Sequence, residues 1–184
     1  MSKRVLCLLA PGFEEIETVT PVDLLRRAGA EVVVASVNGE RLVTGRSNLT
    51  LQADVSLAAV MEETPEAEFD LLLIPGGPGV KALRADGRAA LLAKAYAEAG
   101  KLLGAICAAP TVLADAGLLA GKRFTAHFSV REDLPAAVDA GPVVSDGEIV
   151  TSRGAGTALE FGLELVRRLF GEEKAREIAA SIMA

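Results

Sequence analysis

One histidine, two cysteines and no tryptophan stand in a chain of 184 residues, and each scarcity closes off a class of protein. The single imidazole, His127, excludes a zinc site built from several histidines and any HExxH helix. A nucleophile–histidine dyad must use His127 or not exist. Two cysteines are too few for a disulfide framework and are read as free thiols in a reducing cytoplasm. Basic residues are outnumbered, 19 against 25 acids for a net charge of −6. They form no stripe, so no nucleic-acid partner is expected. No apolar run, FDLLLIP included, approaches the roughly 20 residues of a membrane span, and no membrane partner is expected. Lys3 and Arg4 lead into only six apolar residues before Pro11-Gly12, which is not the pattern of a secretory leader.

What remains is ordinary in bulk and specific in arrangement. Hydrophobic residues make up 51% and charged residues 24%, the balance of a domain that buries its core without a metal or disulfide staple. A single domain over 1–184 is expected. Strand-like runs alternate with helical patterns throughout, the signature of a parallel sheet covered by helices. RVLCLLA (Arg4 to Ala10) reads as a buried parallel strand, apolar on both faces. A helix follows from about Glu15 to Ala28, with Ile16, Val19, Leu24 and Leu25 near helical spacing and a kink or late start at Pro21. AEVVVASV is the second strand, and Asn38-Gly39 turns into Arg41–Thr44. After Leu49 and Leu51, Asp54 or Ser56 caps a short helix through Met61. FDLLLIP is a strand closed by Pro75-Gly76-Gly77-Pro78-Gly79. A helix from about Gly87 to Ala99 leads to strand KLLGAI, and a helical pattern begins at once from Cys107. Arg123–Ala126 reads as a short strand delivering His127. Asp146-Gly147 turns a hairpin, and helices at Gly156–Phe170 and Glu172–Met183 finish the chain. The fold class is α/β, with about six or seven mostly parallel strands and helices on both faces.

In such a sheet ligands bind beyond the carboxyl ends of the strands, and four segments there carry unusual chemistry. Cys107 lies where a strand runs straight into a helix among small residues (Gly104, Ala105, Ala108, Ala109), the pattern of a nucleophile elbow. That position exposes the sulfur to free N–H groups, which favour thiolate. Cys7, mid-strand in an apolar run, reads as core. The glycines Gly76 and Gly77 offer backbone N–H groups with no side chain in the way, and with Ala108 they form a candidate oxyanion hole. Glu14, Glu15 and Glu17 crowd the first helix turn, where the helix dipole favours acids. Glu14 and Glu17 share a face, and spacing does not choose between them. His127 reads as a residue over the same sheet end, with Glu132 and Asp133 too far along the chain to complete a readable triad.

LLAPGFEEIETVTPVDLLRRAGAEV, LLLIPGGPG, GAICAAPTVLADAGLL, TAH and VTSRGAGTALEFGLELV together resemble the ThiJ/PfpI superfamily, most closely its Parkinsonism-associated deglycase branch with its bacterial members. The resemblance spans essentially the whole chain. It implies a flavodoxin-like, class I glutamine amidotransferase-like three-layer sandwich that assembles as a homodimer. Cys107 then matches the elbow nucleophile, Glu17 the acid hydrogen-bonded to it, Gly77 and Ala108 the oxyanion donors, and His127 the nearby histidine. The implied chemistry needs no cofactor and no metal: a glyoxalase or protein deglycase acting on methylglyoxal, glyoxal or their protein adducts. Two alternatives use the same cysteine, a redox-sensing chaperone responsive to oxidative stress and an intracellular cysteine peptidase. Three positions depart from the family pattern. The active-site arginine falls on Ser47, with Arg46 one residue early; a cysteine is replaced by Gly45; and the proline of the TSRGPGT loop is Ala155.

Overall fold

A computed structural model describes residues 2–62 and 68–184. Its main sheet takes strands β1 (Arg4–Leu9), β2 (Glu31–Ser36), β5 (Val55–Ser56), β6 (Leu71–Ile74), β7 (Leu102–Ile106), β8 (Val143–Asp146) and β9 (Ile149–Ser152) in the order β5-β2-β1-β6-β7-β9-β8. Every neighbouring pair is parallel except the β8–β9 hairpin. A separate antiparallel pair joins β3 (Leu42–Thr44) to β4 (Thr50–Gln52). No described helix is long and apolar enough to cross a membrane.

The strands are apolar on both faces because both faces are covered. Leu6 and Leu8 of β1 enter one core, with Leu57 and Val60 of α2 (Leu57–Glu62) and Val80 and Leu83 of α3 (Val80–Asp86). Tyr96 of α4 (Arg88–Glu98) and Val112 of α5 (Pro110–Asp115) complete that layer. Val5, Cys7 and Leu9, one residue out of step, enter a second core. Leu25 of α1 (Glu15–Arg27), Phe161 of α6 (Ala158–Phe170) and Ile178 of α7 (Glu172–Ser181) close it. The result is the flavodoxin-like three-layer sandwich, with period-two alternation along each strand sorting residues between the two cores.

Several expectations shift. The helix through Pro21 starts on time at Glu15 and runs unbroken to Arg27, with Pro21 itself buried. Its inner face is only partly the one apolar spacing suggests: Leu24 and Leu25 are buried, but Ile16 and Val19 are about half exposed, at 53% and 47%, while Glu17 and Thr18 point inward. Ser56, not Asp54, caps the short helix, accepting the Ala59 N–H at 3.2 Å; Asp54 instead accepts the Val34 N–H at 2.8 Å. Gly87 stops one helix and starts another, since its left-handed backbone caps α3 at the point where α4 begins. Arg123–Ala126 is not a strand. Its amides go to side chains, Arg123 N–H to Asp146 Oδ2 and Thr125 N–H to Thr151 Oγ1, both at 2.9 Å, so no ladder forms.

The second core rests heavily on Phe161, a large side chain with no solvent exposure. Phe161→Ala is expected to lower unfolding stability by about 4 kcal/mol, read as a drop in the urea midpoint at unchanged slope.

Candidate active site

Three carboxyl ends meet at one edge of the sheet. Parallel register sets β1 beside β6 and β6 beside β7, with Ile74 opposite Ala105. The loops leaving these strands therefore open together, around a cavity of about 520 Å³ lined by Glu17, Gly77, Cys107, Ala108, His127 and Arg46 among others.

Cys107 occupies the turn between β7 and α5 with φ of +65°. The reversal is abrupt. Its N–H still follows the sheet, donating to Ser152 O at 2.9 Å, while the Ala109 N–H already folds back to Ile106 O at 3.0 Å. A side chain in left-handed backbone costs about 1–3 kcal/mol and persists only where the surroundings over-determine it. Here the Cys107 carbonyl is fixed too, accepting the His127 N–H at 2.8 Å. The sulfur is half-buried, with the N–H groups of Gly77 and Ala108 directed at it. Cys7, by contrast, is core, and burial pushes its thiol up to about 12.

The acids divide their work. Glu14 is the N-cap of α1, accepting the Glu17 N–H at 2.8 Å. Glu17, 1% exposed, reaches under the elbow and hydrogen-bonds Cys107. Its Oε2 accepts the Gly76 N–H at 3.0 Å. That amide is thereby spent, so Gly76 holds the acid while Gly77 and Ala108 remain as donors facing the sulfur. Neither glycine can carry a side chain. A Cβ on Gly76 would lie 2.5 Å from the Cys107 Cβ, and Gly77 has φ of +96°.

Burial, with the charge of Glu14, raises the Glu17 carboxyl to about 7, against the opposing pull of Cys107, the Gly76 N–H and Arg46. Burial and the charge of an ionised Glu17 push the Cys107 thiol to about 12, against the N–H groups of Gly77 and Ala108. These are two steps of one titration. The pair gives up its first proton near 7 and keeps the second far higher, because two adjacent buried negative charges repel. Above that first step the site holds one proton and one charge, with amide donors at the sulfur favouring thiolate.

His127 joins the cavity from the 123–127 segment. Its Nδ1 accepts the Ser129 N–H at 3.2 Å and lies 2.8 Å from Ser129 Oγ, so the neutral ring carries its proton on Nε2. No carboxylate partners it among the described residues, since Asp133 is taken by Arg84 at 2.9 Å. Arg46 and Ser47 lie in a turn rather than a strand. The strand rule by which a slip of one residue reverses a side chain therefore does not apply, and Arg46 lines the cavity, as does Ala155. Lys81 and Arg84, also on its wall, come from α3, which sequence reading missed. The signal was Val80 and Leu83 at helical spacing before the Gly87 stop.

A sandwich that presents a thiol from an elbow at its parallel edge defines a broad class of α/β proteins with a reactive cysteine. Comparison narrows it: residues 3–168 match the DJ-1/PfpI family, and the chain belongs to that family. It is 41% identical to protein dj-1beta of Drosophila melanogaster over 100% of this chain and 98% of that one. A crystal structure of the same fly protein superposes with a TM-score of 0.93 at 40% identity, covering 100% of this chain and 99% of the other. A Caenorhabditis elegans relative named glutathione-independent glyoxalase DJR-1.2 is 37% identical over 96% of this chain and 94% of its own.

Iodoacetamide labelling of Cys107 against pH is expected to show a first step near 7 and a second far above the ordinary thiol value of about 8.5. Glu17→Gln leaves one step. A single step near the ordinary value in both proteins would refute the shared proton. The folded value of Glu17 also lies above that of an unfolded glutamic acid, about 4.3. The native state therefore holds the extra proton, and stability falls as pH rises from about 4 to about 7. The Glu17→Gln protein should lose that part of the slope.

Proposed function

We propose that the protein is a cofactor-independent glyoxalase, with protein deglycase activity by the same chemistry, acting on methylglyoxal and glyoxal or their adducts. The convergence of Cys107, Glu17 and the Gly77 and Ala108 amides on one cavity carries this reading. The name of the worm relative supports it.

Cys107 Sγ adds to the aldehyde carbon of methylglyoxal, forming a C–S bond as the carbonyl electrons move to oxygen under the Gly77 and Ala108 N–H groups. Protonation gives a hemithioacetal. Glu17 then removes the remaining hydrogen of that carbon as a proton, and a proton returns to the neighbouring carbonyl carbon. One carbon is oxidised and the other reduced, so no outside oxidant is needed. The S-lactoyl thioester is cleaved by water, with His127 placed to relay the proton, giving lactate and free thiolate. Glu17 suits the task because its raised value, about 7, makes it base and acid at neutral pH.

A second reading has its own support. The amides that cradle a thiolate would also cradle a sulfinate, with Glu17 as the hydrogen-bond partner, making Cys107 a redox sensor. The peptidase reading has none, because Ser129 rather than a carboxylate orients His127. The family also suggests a cytoplasmic homodimer, and half-exposed Ile16 and Val19 on α1 suit a face for a second copy.

Conversion of methylglyoxal to lactate without glutathione is the test. Cys107→Ser is expected to reduce kcat/KM by about three orders of magnitude or more, and Glu17→Gln by about a hundredfold. Wild-type protein that turns over nothing yet is oxidised selectively at Cys107 by mild peroxide would select the sensor instead.

A further inference from the structure

The turn at residues 45–48 holds two of the three departures from the family pattern, Gly45 in the place of a cysteine and the arginine one residue early. Glu15 fills the space that glycine leaves. A Cβ on Gly45 would lie 2.5 Å from Glu15 Oε1 and 3.0 Å from Phe13 Cζ. Glu15 is 6% exposed, and its Oε1 accepts the Ser47 N–H at 2.7 Å and the Leu49 N–H at 3.4 Å. Oε2 is buried with no hydrogen-bond partner among the described residues. Burial works against the charge, but the hydrogen bonds from Ser47, Leu49 and the residue's own N–H outweigh it and hold the carboxyl below its ordinary value, so a charged side chain is built into the fastening of this turn.

What the turn carries is Arg46. Its backbone N–H donates to Phe13 O at 2.9 Å, and the turn closes through Gly45 N–H to Leu49 O at 2.8 Å. Its side chain lines the cavity. We propose that Glu15 is a positioning residue: seated against Gly45, it fixes the turn so that Arg46 faces the Cys107–Glu17 pair, and it acts on that pair only through Arg46. Other groups also face the pair: Glu14 from the start of α1, the Gly76, Gly77 and Ala108 amides, and His127, which lines the same cavity. At the mouth stand Lys81 and the Arg84–Asp133 ion pair. All of these stay in place when only the turn moves.

The sign of the effect separates this from a direct one. Removing the negative charge of Glu15 directly would make a second negative charge easier to hold and lower the pH at which the pair loses its first proton. Losing the positive Arg46 from the cavity raises that pH.

The test is the pH midpoint of Cys107 alkylation by iodoacetamide, with buried Cys7 silent, in wild type, Glu15→Ala, Arg46→Ala, the double variant, Gly45→Ala and Glu15→Gln. Glu15→Ala and Arg46→Ala are each expected to raise the midpoint by about half a unit to one unit. The double variant should match Arg46→Ala alone. Gly45→Ala should move it the same way by pushing the carboxylate off Ser47. Glu15→Gln, which keeps an accepting Oε1, should stay near wild type. A downward or absent shift in Glu15→Ala, or additive shifts in the double variant, overturns the proposal. If Glu15→Ala fails to fold by its melting curve, Gly45→Ala and Glu15→Gln decide: an unmoved midpoint in the first or an Arg46→Ala-like one in the second is equally fatal. The proposal rests on the pair being the reactive centre. Alkylation needs no turnover, so a silent lactate assay would count against the glyoxalase alone.

Discussion

A half-buried thiol stands beside a buried carboxyl group, and the local backbone is arranged to make that juxtaposition tolerable. Neither group would be comfortable there alone. The carboxyl is raised to about 7 by burial, and burial together with the carboxylate beside it pushes the thiol higher still. Together they form a site with one charge, one proton and two places to put each. Such a site sits near its switching point at neutral pH, where proton transfer costs least. The surrounding backbone supplies what side chains cannot. The Gly76 amide holds the acid, and the Gly77 and Ala108 amides face the sulfur. Fixed amides need no reorganisation when charge moves from oxygen to sulfur.

That demand explains the local strain. Aiming a sulfur at the Gly77 amide from the residue just past the end of its strand requires the chain to reverse within one residue, and it does so in left-handed backbone. Neighbours on both sides hold it. The sheet binds the Cys107 N–H through Ser152, and the 123–127 segment binds its carbonyl through His127. This second contact gives the irregular segment its purpose. It is not a strand because its amides are turned to Asp146 and Thr151, and it ends by fastening the elbow and setting an imidazole over the cavity.

The fold was legible because it depends on patterns that repeat. Apolar runs such as FDLLLIP demand burial on both faces, and their alternation with helical spacing leaves few arrangements besides a covered parallel sheet. Cys107 was legible for a related reason: a strand that becomes a helix among small residues can do so only through a tight turn. What stayed hidden depended on direction rather than type. Ile16 and Val19 are apolar at helical spacing but face outward, because α1 is rotated to carry Glu17 under the elbow. Glu14 and Glu17 share a helix face, and spacing alone does not choose between them; the cap bond from the Glu17 N–H to Glu14 and the Gly76 N–H on Glu17 show why Glu17 is the one that reaches the sulfur. Arg46, one residue early against the family pattern, still lines the cavity, because residues 46 and 47 form a turn, where no strand alternation fixes the direction of a side chain.

The two cysteines show why a high thiol value by itself says little about reactivity. Burial leads in pushing both to about 12, yet the lesser causes differ. Cys7 lies mid-strand with no exposure, where the charges of Arg26 and Asp54 pull in opposite directions. The rise at Cys107 has a second cause, the charge on Glu17. When Glu17 takes up its proton that cause vanishes, while the amides of Gly77 and Ala108 continue to draw the thiol down. The contrast between the two cysteines is therefore one of register. One residue is enclosed halfway along its strand. The other stands one step past the end of its strand, where the backbone runs out of sheet and a neighbouring acid can hold the proton it gives up.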